Sequence, residues 1–338
     1  ERLEGVEEYS VTLTSNPGDE PGEDLTLVGE IKQDRVAQRD ITVRCFDTNE
    51  VEDPVYQYSK SKVCVAHTNF QSELKIPSSA QSMEYLHVTA VGRTEAEVKK
   101  EIQDIFTREA NHEAIFSKHS AAWNENWEKF GISVKGNLKV NQIIHASMFY
   151  LISNLPSEES NQKNDPFYGL SPSGIGKGGI KFKEYQGHSF WDTEMWMHPP
   201  ILLLNPQWSE DILSYRYNVR KAARDNANNT GYKGYRYPWE SGFTGREVTP
   251  DCCPQVVEYQ QHIIADIAFA FRSHFAATHD LSWFRSYGCD IAYNTAKFWE
   301  SRVKFNETTK FYDIRGEADA GEKKKNFSFS FCLQVLWD

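Results

Sequence analysis

The sequence predicts two structural classes in succession: a partial antiparallel β-sandwich, followed by a domain of α-helices. Residues 1–92 contain short runs in which apolar and polar side chains alternate, as half-buried strands require. At Thr94 the spacing of apolar residues changes to three and four, and from Lys139 onward apolar stripes at helical spacing follow one another. Strands first and helices afterwards indicate separate domains of different class.

The domain boundaries are predicted from these changes of pattern. We expect a β-sandwich over 1–92 that is incomplete at its N-terminal end, a helical linker over 93–137, a helical domain over 138–316 and a divergent tail over 317–338. The runs predicted as strands cover residues 9–14, 25–28, 41–45, 63–66 and 85–91. Spaced short strands of this kind, separated by turn-forming residues, are typical of a sandwich.

Apolar stripes predict where the helices lie. A helical connector is expected from about 94 to 130, followed by a short strand at 132–134. In the helical domain, four stripes predict helices over about 140–151, 212–222, 256–271 and 282–303. Ser209 is the predicted N-cap of the second of these helices. A loop at 156–187, rich in Ser, Gly, Pro and Asn, separates the first two, and loops of that length are usually functional.

The composition argues against several classes of partner. The chain of 338 residues carries a net charge of −11, which repels the phosphates of nucleic acids and of anionic membranes. No apolar run reaches the roughly 18 residues of a membrane span. No basic n-region or apolar h-region follows Glu1, so we expect that the start is missing or that a leader has been removed. The compartment and the oligomeric state stay open.

The cysteines point neither to a metal nor to a cofactor. The six cysteines show no C-x-x-C pattern and no His/Cys spacing that fits zinc, so no metal site is expected. Cys252 and Cys253 are adjacent, which is unfavourable for a mutual disulfide. We expect most of the six to be buried thiols, because free cysteine is among the most buried residue types.

The most informative stretch is residues 187–199, GHSFWDTEMWMHP, which holds two tryptophans, two carboxylates and two histidines. A sugar has apolar C–H faces that stack on aromatic rings, and its hydroxyl groups donate to carboxylates. Asp192 is therefore the leading candidate for a substrate contact, with Trp191 or Trp196 as the stacking face. The alternative is a helix start capped by Asp192, with both tryptophans in the core.

A second cluster, residues 234–242, reads GYRYPWESG and places Glu240 beside Trp239. The alternative is an ordinary aromatic loop. Two such clusters, about 45 residues apart and each at a helix boundary, favour one shared pocket at one end of a helical bundle. His262, with Asp266 one helical turn later, is a further candidate for this pocket, although a lone helical histidine is more often structural.

A glycine-rich segment at 174–179, GIGKGG, matches the pattern G-x-G-x-x-G. It neither follows a predicted strand nor opens a predicted helix, so a nucleotide site is rejected. The segment is predicted to be a flexible lip of the pocket.

Six motifs occur in a defined order: YGLSP at 168–172, GHSFWDTEMW at 187–196, YPWES at 237–241, HIIADI at 262–267, FWESR at 298–302 and YDIRG at 312–316. They resemble a glycoside hydrolase family that contains the disaccharide phosphorylases, the acid trehalases and the glucosidases of glucosyl-galactosyl-hydroxylysine. Order and spacing agree over roughly residues 85–316, and the greatest similarity is to the glucosidase branch.

The resemblance implies a β-sandwich, a helical linker and an (α/α)6 barrel with the active site at the barrel mouth. It also implies inverting cleavage of an α-glucoside, in which one Glu is the general acid and two carboxyl groups lie about 6.5–9.5 Å apart. In the glucosidases a second carboxylate is the base, whereas phosphate attacks in the phosphorylases. Trp191 and Asp192 then match the position that grips the terminal glucose, and Glu240 matches a further pocket carboxylate.

The sequence departs from the family after Gly316. The family continues with a Pro-Asp-Glu-Tyr segment that carries the general acid, whereas residues 317–325 read EADAGEKKK, a solvated charge run. Residues 327–333 alternate like a strand, which is unlike an (α/α)6 barrel. We therefore expect only the first part of the barrel in this chain and no catalytic acid or base.

These observations lead to one functional hypothesis. The chain is predicted to be a glycoside hydrolase-like protein, by resemblance an inverting α-glucosidase for the glucosyl-galactosyl-hydroxylysine of collagen-like proteins. Its partner is then an α-glucoside or a glycosylated collagen-like peptide. The predicted substrate-binding residues are Trp191, Asp192, Trp239, Glu240 and His262. The alternatives are a disaccharide phosphorylase or acid trehalase of the same fold, and a non-catalytic sugar-binding fragment.

Overall fold

A computed structural model describes residues 8–12, 24–57, 59–69, 73–77, 79–80, 85–108, 112–155, 169–172, 185, 187–251 and 254–314. The chain divides into two compact units. The first consists of Glu1–Val51 and Tyr58–Lys129, and the second of Glu52–Gln57 and Phe130–Asp338. The predicted lip at 174–179 and the predicted tail at 317–338 lie outside the described residues.

The first unit contains antiparallel β-sheet, as the sequence predicts. Its strands are β1 (Glu8–Thr12), β2 (Leu25–Leu27), β3 (Lys32–Val36), β4 (Arg39–Thr48), β5 (Lys62–Thr68), β6 (Glu73–Pro77) and β7 (Thr89–Gly92). Strands β2, β4, β5 and β7 form a sheet in that order, β3 also pairs with β4, and β1 pairs with β6. The prediction missed β3 and β6. The side chains of β3 are mostly exposed and therefore show no alternation of apolar and polar residues.

The sheet buries its apolar face against the first helix, α1 (Glu95–Arg108). Val98 and Ile102, four residues apart on one face of α1, are fully buried. The helix begins where Thr94 accepts a hydrogen bond from the backbone N–H of Glu97, whose carboxylate accepts from the N–H of Arg93. The buried members of this core are Ile41, Val43, Cys64, Ala66, Val88, Ala90, Val98 and Ile102.

The expectation of buried thiols is wrong for the described cysteines. Cys45 on β4 lies opposite Cys64 on β5, and the two form a disulfide. Cys289 is a free thiol, but it is exposed. The sequence could not reveal the pairing, because the register of two strands is set by tertiary contacts. The other three cysteines lie outside the described residues.

The predicted helical connector consists of two helices, α1 and α2 (His112–Phe130). The strand predicted at 132–134 is wrong, since these residues join no sheet. Their backbone groups bond to side chains of the next helix instead. The N–H of Val134 donates to Asn141, and the carbonyl of Ile132 pairs with His145.

The second unit is mainly helical, again as predicted. Its helices are α3 (Leu138–Ser153), α4 (His198–Leu204), α5 (Pro206–Asn218), α6 (Arg220–Asn229), α7 (Pro254–Tyr259), α8 (Ile263–Thr278), α9 (Leu281–Trp283) and α10 (Cys289–Arg302). Two π-helical segments, Thr193–Met197 and Phe284–Gly288, precede α4 and α10. A short pair of strands follows, β8 (Lys304–Phe305) and β9 (Tyr312–Asp313). None of the helices described in either unit is long and apolar enough to span a membrane.

The predicted helix at 256–271 is interrupted, whereas residues 281–302 are helical throughout, with the π-helical segment Phe284–Gly288 between α9 and α10. Residues 260–262 separate α7 from α8, and this break places His262 at the N-cap of α8. The main core of the unit gathers side chains of α5, α6, α8 and α10. Its buried members are Leu213, Tyr215, Val219, Ala223, Tyr235, Tyr237, Ile263, Ile264, Ile267, Ala270, Phe271, Trp283, Ile291, Phe298 and Trp299.

Ser209 is not an N-cap, contrary to the prediction. Helix α5 starts three residues earlier, where the side chain of Asn205 accepts from the N–H of Gln207 and a proline occupies the first turn. Ser209 lies inside α5 and is buried between two histidines. Its hydroxyl is 2.7 Å from Nε2 of His198 and 2.8 Å from Nδ1 of His274. Burial lowers the pKa of His198 to about 4, so this ring is neutral at pH 7.

Candidate functional site

Two backbone hydrogen bonds join the two aromatic clusters. The N–H of Ser189 donates to the carbonyl of Ser241 at 2.9 Å, and the N–H of Ser241 returns a bond to Ser189 at 3.1 Å. Both serines are completely buried. The turn into this bridge uses Gly187, whose φ of 76° favours glycine. The clusters at 187–199 and 234–242 therefore lie side by side.

Arg216 on α5 bonds to residues of both clusters. Its guanidinium is completely buried and pairs with Glu194, with N···O distances of 2.8 and 3.1 Å. The same group donates to the carbonyl of Phe190 at 2.9 Å and to the hydroxyl of Ser241 at 3.0 Å. A single side chain thus fixes three points, two in the first cluster and one in the second.

Three rings converge beside this bridge. The ring of His262 lies 4.9 Å from that of Trp191 and 5.6 Å from that of Trp239, both edge to face. Trp191 also contacts Trp196 edge to face at 5.1 Å, and Trp196 is 58% exposed. The arrangement supplies flat apolar surfaces from both clusters and from the start of α8.

His262 is oriented by a carboxylate. Its Nδ1 is 2.6 Å from Oδ2 of Asp266, one turn further along α8. Its Nε2 is buried and has no hydrogen-bond partner within the described part of the chain. Burial raises the pKa of Asp266, against the opposing effect of the His262 hydrogen bond. The ring therefore contributes one polar atom whose bonding capacity is unused.

Asp192 starts the π-helical segment Thr193–Met197 but does not cap it with its side chain. The alternative in which Asp192 serves as a helix cap is therefore not what the structure has. The carboxyl group is part-buried, and this burial raises its pKa above the ordinary value of 3.8. Asp192 directly follows Trp191 in the chain, so its backbone lies beside the group of rings around His262.

Glu240 is buried, with 5% of its surface exposed. Its Oε1 is 2.7 Å from Nδ1 of His188, so a residue of the first cluster bonds a residue of the second. The backbone around Glu240 is held by Glu247, whose carboxylate accepts from the N–H of Trp239 at 2.8 Å and from that of Glu240 at 3.2 Å. Burial raises the pKa of Glu247, while these hydrogen bonds oppose the rise.

All five predicted substrate-binding residues thus lie in the same region of the second unit, and their role stays a prediction. Sequence reasoning missed Arg216, Glu247 and the partner role of His188. Arg216 left a signal, because it lies four residues after Ile212 and therefore within the apolar stripe of α5. A charge within an apolar stripe indicates a buried, paired group. In the part of the chain that is described, no group of three or more His, Cys, Asp or Glu could hold a metal ion.

Comparison with known proteins identifies similar chains. Residues 160–326 match the model of the glycosyl hydrolase family 65 central catalytic domain. A protein-glucosylgalactosylhydroxylysine glucosidase of Dictyostelium discoideum is 40% identical over 204 residues, which cover 59% of this chain and 27% of that protein. A kojibiose phosphorylase of Thermoanaerobacter brockii is 35% identical over 207 residues, covering 58% of this chain and 25% of that one.

One solved structure shares the fold at low sequence identity. It comes from the human microbiome, and its assignment as a kojibiose phosphorylase is provisional. The TM-score is 0.62 at 17% identity, over 87% of this chain and 40% of that chain. The present chain spans about a quarter of the length of the two curated relatives named above.

Proposed function

Because residues 160–326 match the central catalytic domain of glycosyl hydrolase family 65, we propose that this chain belongs to that family and forms the glucose-holding part of a site that acts on α-glucosides. The observation that carries the proposal is the Ser189–Ser241 bridge, which brings two clusters of rings and carboxylates together. Neither cluster alone distinguishes a sugar site from an ordinary aromatic core. Their convergence on His262 supplies both stacking faces and hydroxyl acceptors.

Each predicted residue has a role in this proposal. Trp191 and Trp239 offer ring faces to the C–H surface of the terminal glucose. Asp192 and Glu240 accept hydrogen bonds from its hydroxyl groups, and charge-assisted bonds of this kind are stronger than those between neutral groups. Nε2 of His262 is a buried acceptor or donor without a partner in the described chain, and a sugar hydroxyl would satisfy it.

The finer architecture is part of the same proposal. The strands of the first unit form a partial β-sandwich, and helices α3 to α10 form the first part of an (α/α)6 barrel. The likeness to the solved structure, with a TM-score of 0.62, supports this architecture. In such a barrel the site opens at the mouth, where loops such as 239–249 connect successive helices.

For the reaction, we propose inverting hydrolysis of a terminal α-glucosyl unit, in which the sugar is attacked from the face opposite the leaving group. The substrate class is glucosyl-α-1,2-galactose on the hydroxylysine of collagen-like proteins, and the name of the Dictyostelium discoideum relative supports it. Phosphorolysis is the second candidate, since a kojibiose phosphorylase is 35% identical to the chain. The whole protein separates the two, because hydrolysis releases glucose and phosphorolysis forms glucose 1-phosphate only when phosphate is added.

Titration calorimetry on this chain with glucose and with glucosyl-α-1,2-galactose tests the binding site. Asp192→Asn should weaken binding roughly tenfold, the loss expected for a hydrogen bond to a charged acceptor. Asp251→Asn is the matched control, because Asp251 is exposed. Affinity should also fall as the pH is lowered through the pKa of Asp192, which burial raises above 3.8, since the protonated acid accepts less well. No heat of binding with either sugar would contradict the proposal.

A further inference from the structure

Glu52 belongs to the second unit and lies against the loop that carries Glu240. Its carboxylate accepts from the backbone N–H of Phe243 at 2.6 Å and from that of Thr244 at 2.8 Å. The hydroxyl of Thr244 donates to the same carboxylate. Three donors from two consecutive residues thus converge on one side chain that is 191 positions away from the first of them.

The fit around Gly242 shows how closely Glu52 approaches the loop. A Cβ atom built on Gly242 would lie 2.4 Å from Oε2 of Glu52 and 3.4 Å from Cδ2 of His188. A side chain at this position would therefore displace the Glu52 carboxylate from its present place. Glu52 and His188 therefore flank the loop at Gly242, and His188 in turn bonds Glu240.

A second contact of the same segment reinforces the first. Asp53 accepts from Nε of Arg246 at 2.8 Å. The segment itself is anchored further along, where the hydroxyl of Tyr56 donates to Asp225 on α6. The acceptor at Glu52 is thus part of a fixed segment and not the end of a free loop.

The loop at 239–249 has no helix or strand of its own, so side-chain contacts determine its shape. Isolated bridges at Ser241 tie it to Ser189 and Glu247. Glu247 holds its beginning through the N–H groups of Trp239 and Glu240, and Glu52 holds its middle at Phe243 and Thr244. Backbone N–H groups need acceptors when they are buried, and the two carboxylates supply them.

We propose that Glu52 is a positioning residue, which fixes Glu240 in the sugar site by holding the middle of the loop while Glu247 holds its beginning. This inference rests on the proposed function, because it assumes that Glu240 contacts the sugar. It adds to the site a residue from a distant part of the sequence, outside the aromatic clusters.

The test measures glucose affinity of this chain by titration calorimetry for the wild type, Glu52→Gln and Glu50→Gln. The amide in Glu52→Gln keeps the shape but turns one acceptor oxygen into a donor facing an N–H group, so we expect affinity to fall roughly tenfold. Glu50→Gln makes the same change at an exposed position two residues earlier and should leave affinity unchanged.

Glu240→Gln and the double variant Glu52→Gln/Glu240→Gln separate positioning from a general structural effect. If Glu52 acts through Glu240, the double variant binds no more weakly than Glu240→Gln alone. An equal loss from Glu52→Gln in both backgrounds overturns the proposal, as does wild-type affinity in Glu52→Gln. Absence of glucose binding by the wild type would instead overturn the proposed function.

Circular dichroism checks that each variant folds. Should Glu52→Gln fail to fold, Thr244→Val removes one of the three donors to Glu52 at nearly constant shape, with an expected loss of roughly threefold. Wild-type affinity in Thr244→Val would then overturn the proposal.

Discussion

Replacing Arg216 by methionine tests how the two clusters are held together. Methionine fills much of the volume of arginine without its charge, so the change removes the ion pair with Glu194 and the bonds to Phe190 and Ser241. Glu194, which is 1% exposed, is left as a buried carboxylate without its counter-ion. We expect the chain to be strongly destabilised.

The magnitude follows from the burial of the pair. Breaking a buried ion pair by removing one partner costs about 3–5 kcal/mol, and both partners here are out of contact with water. We therefore expect the free energy of unfolding to fall by about 4 kcal/mol. The double variant Glu194→Met/Arg216→Met removes the stranded charge as well and should lose only about 1–2 kcal/mol, because the bonds to Phe190 and Ser241 are still missing.

The pH dependence gives a second check. Burial already raises the pKa of Glu194 above the ordinary 4.5, and without Arg216 nothing described opposes this rise as strongly. When the pKa of a carboxyl group is higher in the folded than in the unfolded chain, the free energy of unfolding falls as the pH rises through the folded pKa. The penalty of Arg216→Met should therefore be smaller at about pH 5 than at pH 7.

Urea unfolding followed by circular dichroism measures these differences. Arg272→Met is the matched control, because Arg272 is exposed on α8 and a surface change of this kind costs about 0.5 kcal/mol or less. A loss for Arg216→Met within about 1 kcal/mol of the control would refute the reasoning. So would a double variant that is less stable than Arg216→Met alone.

Three further predictions concern other parts of the fold. Cys45→Ser opens a disulfide between residues 19 apart and should lower the free energy of unfolding of the first unit by about 3 kcal/mol. Reducing agent should lower the unfolding temperature of the wild type but not that of the variant. The pKa of His198 is about 4 in the folded chain and 6.5 in the unfolded chain, so this residue should lower the free energy of unfolding by about 2 kcal/mol from pH 7 to pH 5. In His198→Gln, the free energy of unfolding should depend less on pH over this range. Gly234→Ala places a Cβ 2.0 Å from a carbonyl oxygen of α10, whereas the Cβ of Gly231→Ala meets nothing within 4 Å. In chemical unfolding, the first variant should therefore lose at least about 2 kcal/mol more free energy of unfolding than the second. Equal losses in the two variants would contradict this packing.

The sequence was sufficient where a local pattern decides the structure. Alternation at 41–45 predicted the centre of β4, and the apolar stripe at 140–151 predicted α3, because half-buried elements display their period. It was insufficient for Ser209, which precedes an apolar stripe as an N-cap would. The true cap, Asn205 followed by a proline, was equally visible and is the stronger signal.

For the candidate site, the rings and carboxylates were predictable and their supports were not. Trp191, Asp192, Trp239 and Glu240 lie in dense clusters of unusual composition, so composition alone draws attention to them. Glu52 lies in no such cluster, and its contacts depend on residues 191 positions away. Long-range hydrogen bonds of this kind leave no periodic trace in a single sequence.

The buried serine between two histidines has a consequence for where protons reside. The hydroxyl of Ser209 has one proton, so it donates to one ring nitrogen and accepts from the other. If it donates to Nδ1 of His274, both neutral rings carry their proton on Nε2. If it donates to Nε2 of His198, both carry it on Nδ1. The tautomers of the two histidines are therefore locked to each other, and neither ring changes form unless the serine hydroxyl turns and the other ring changes with it.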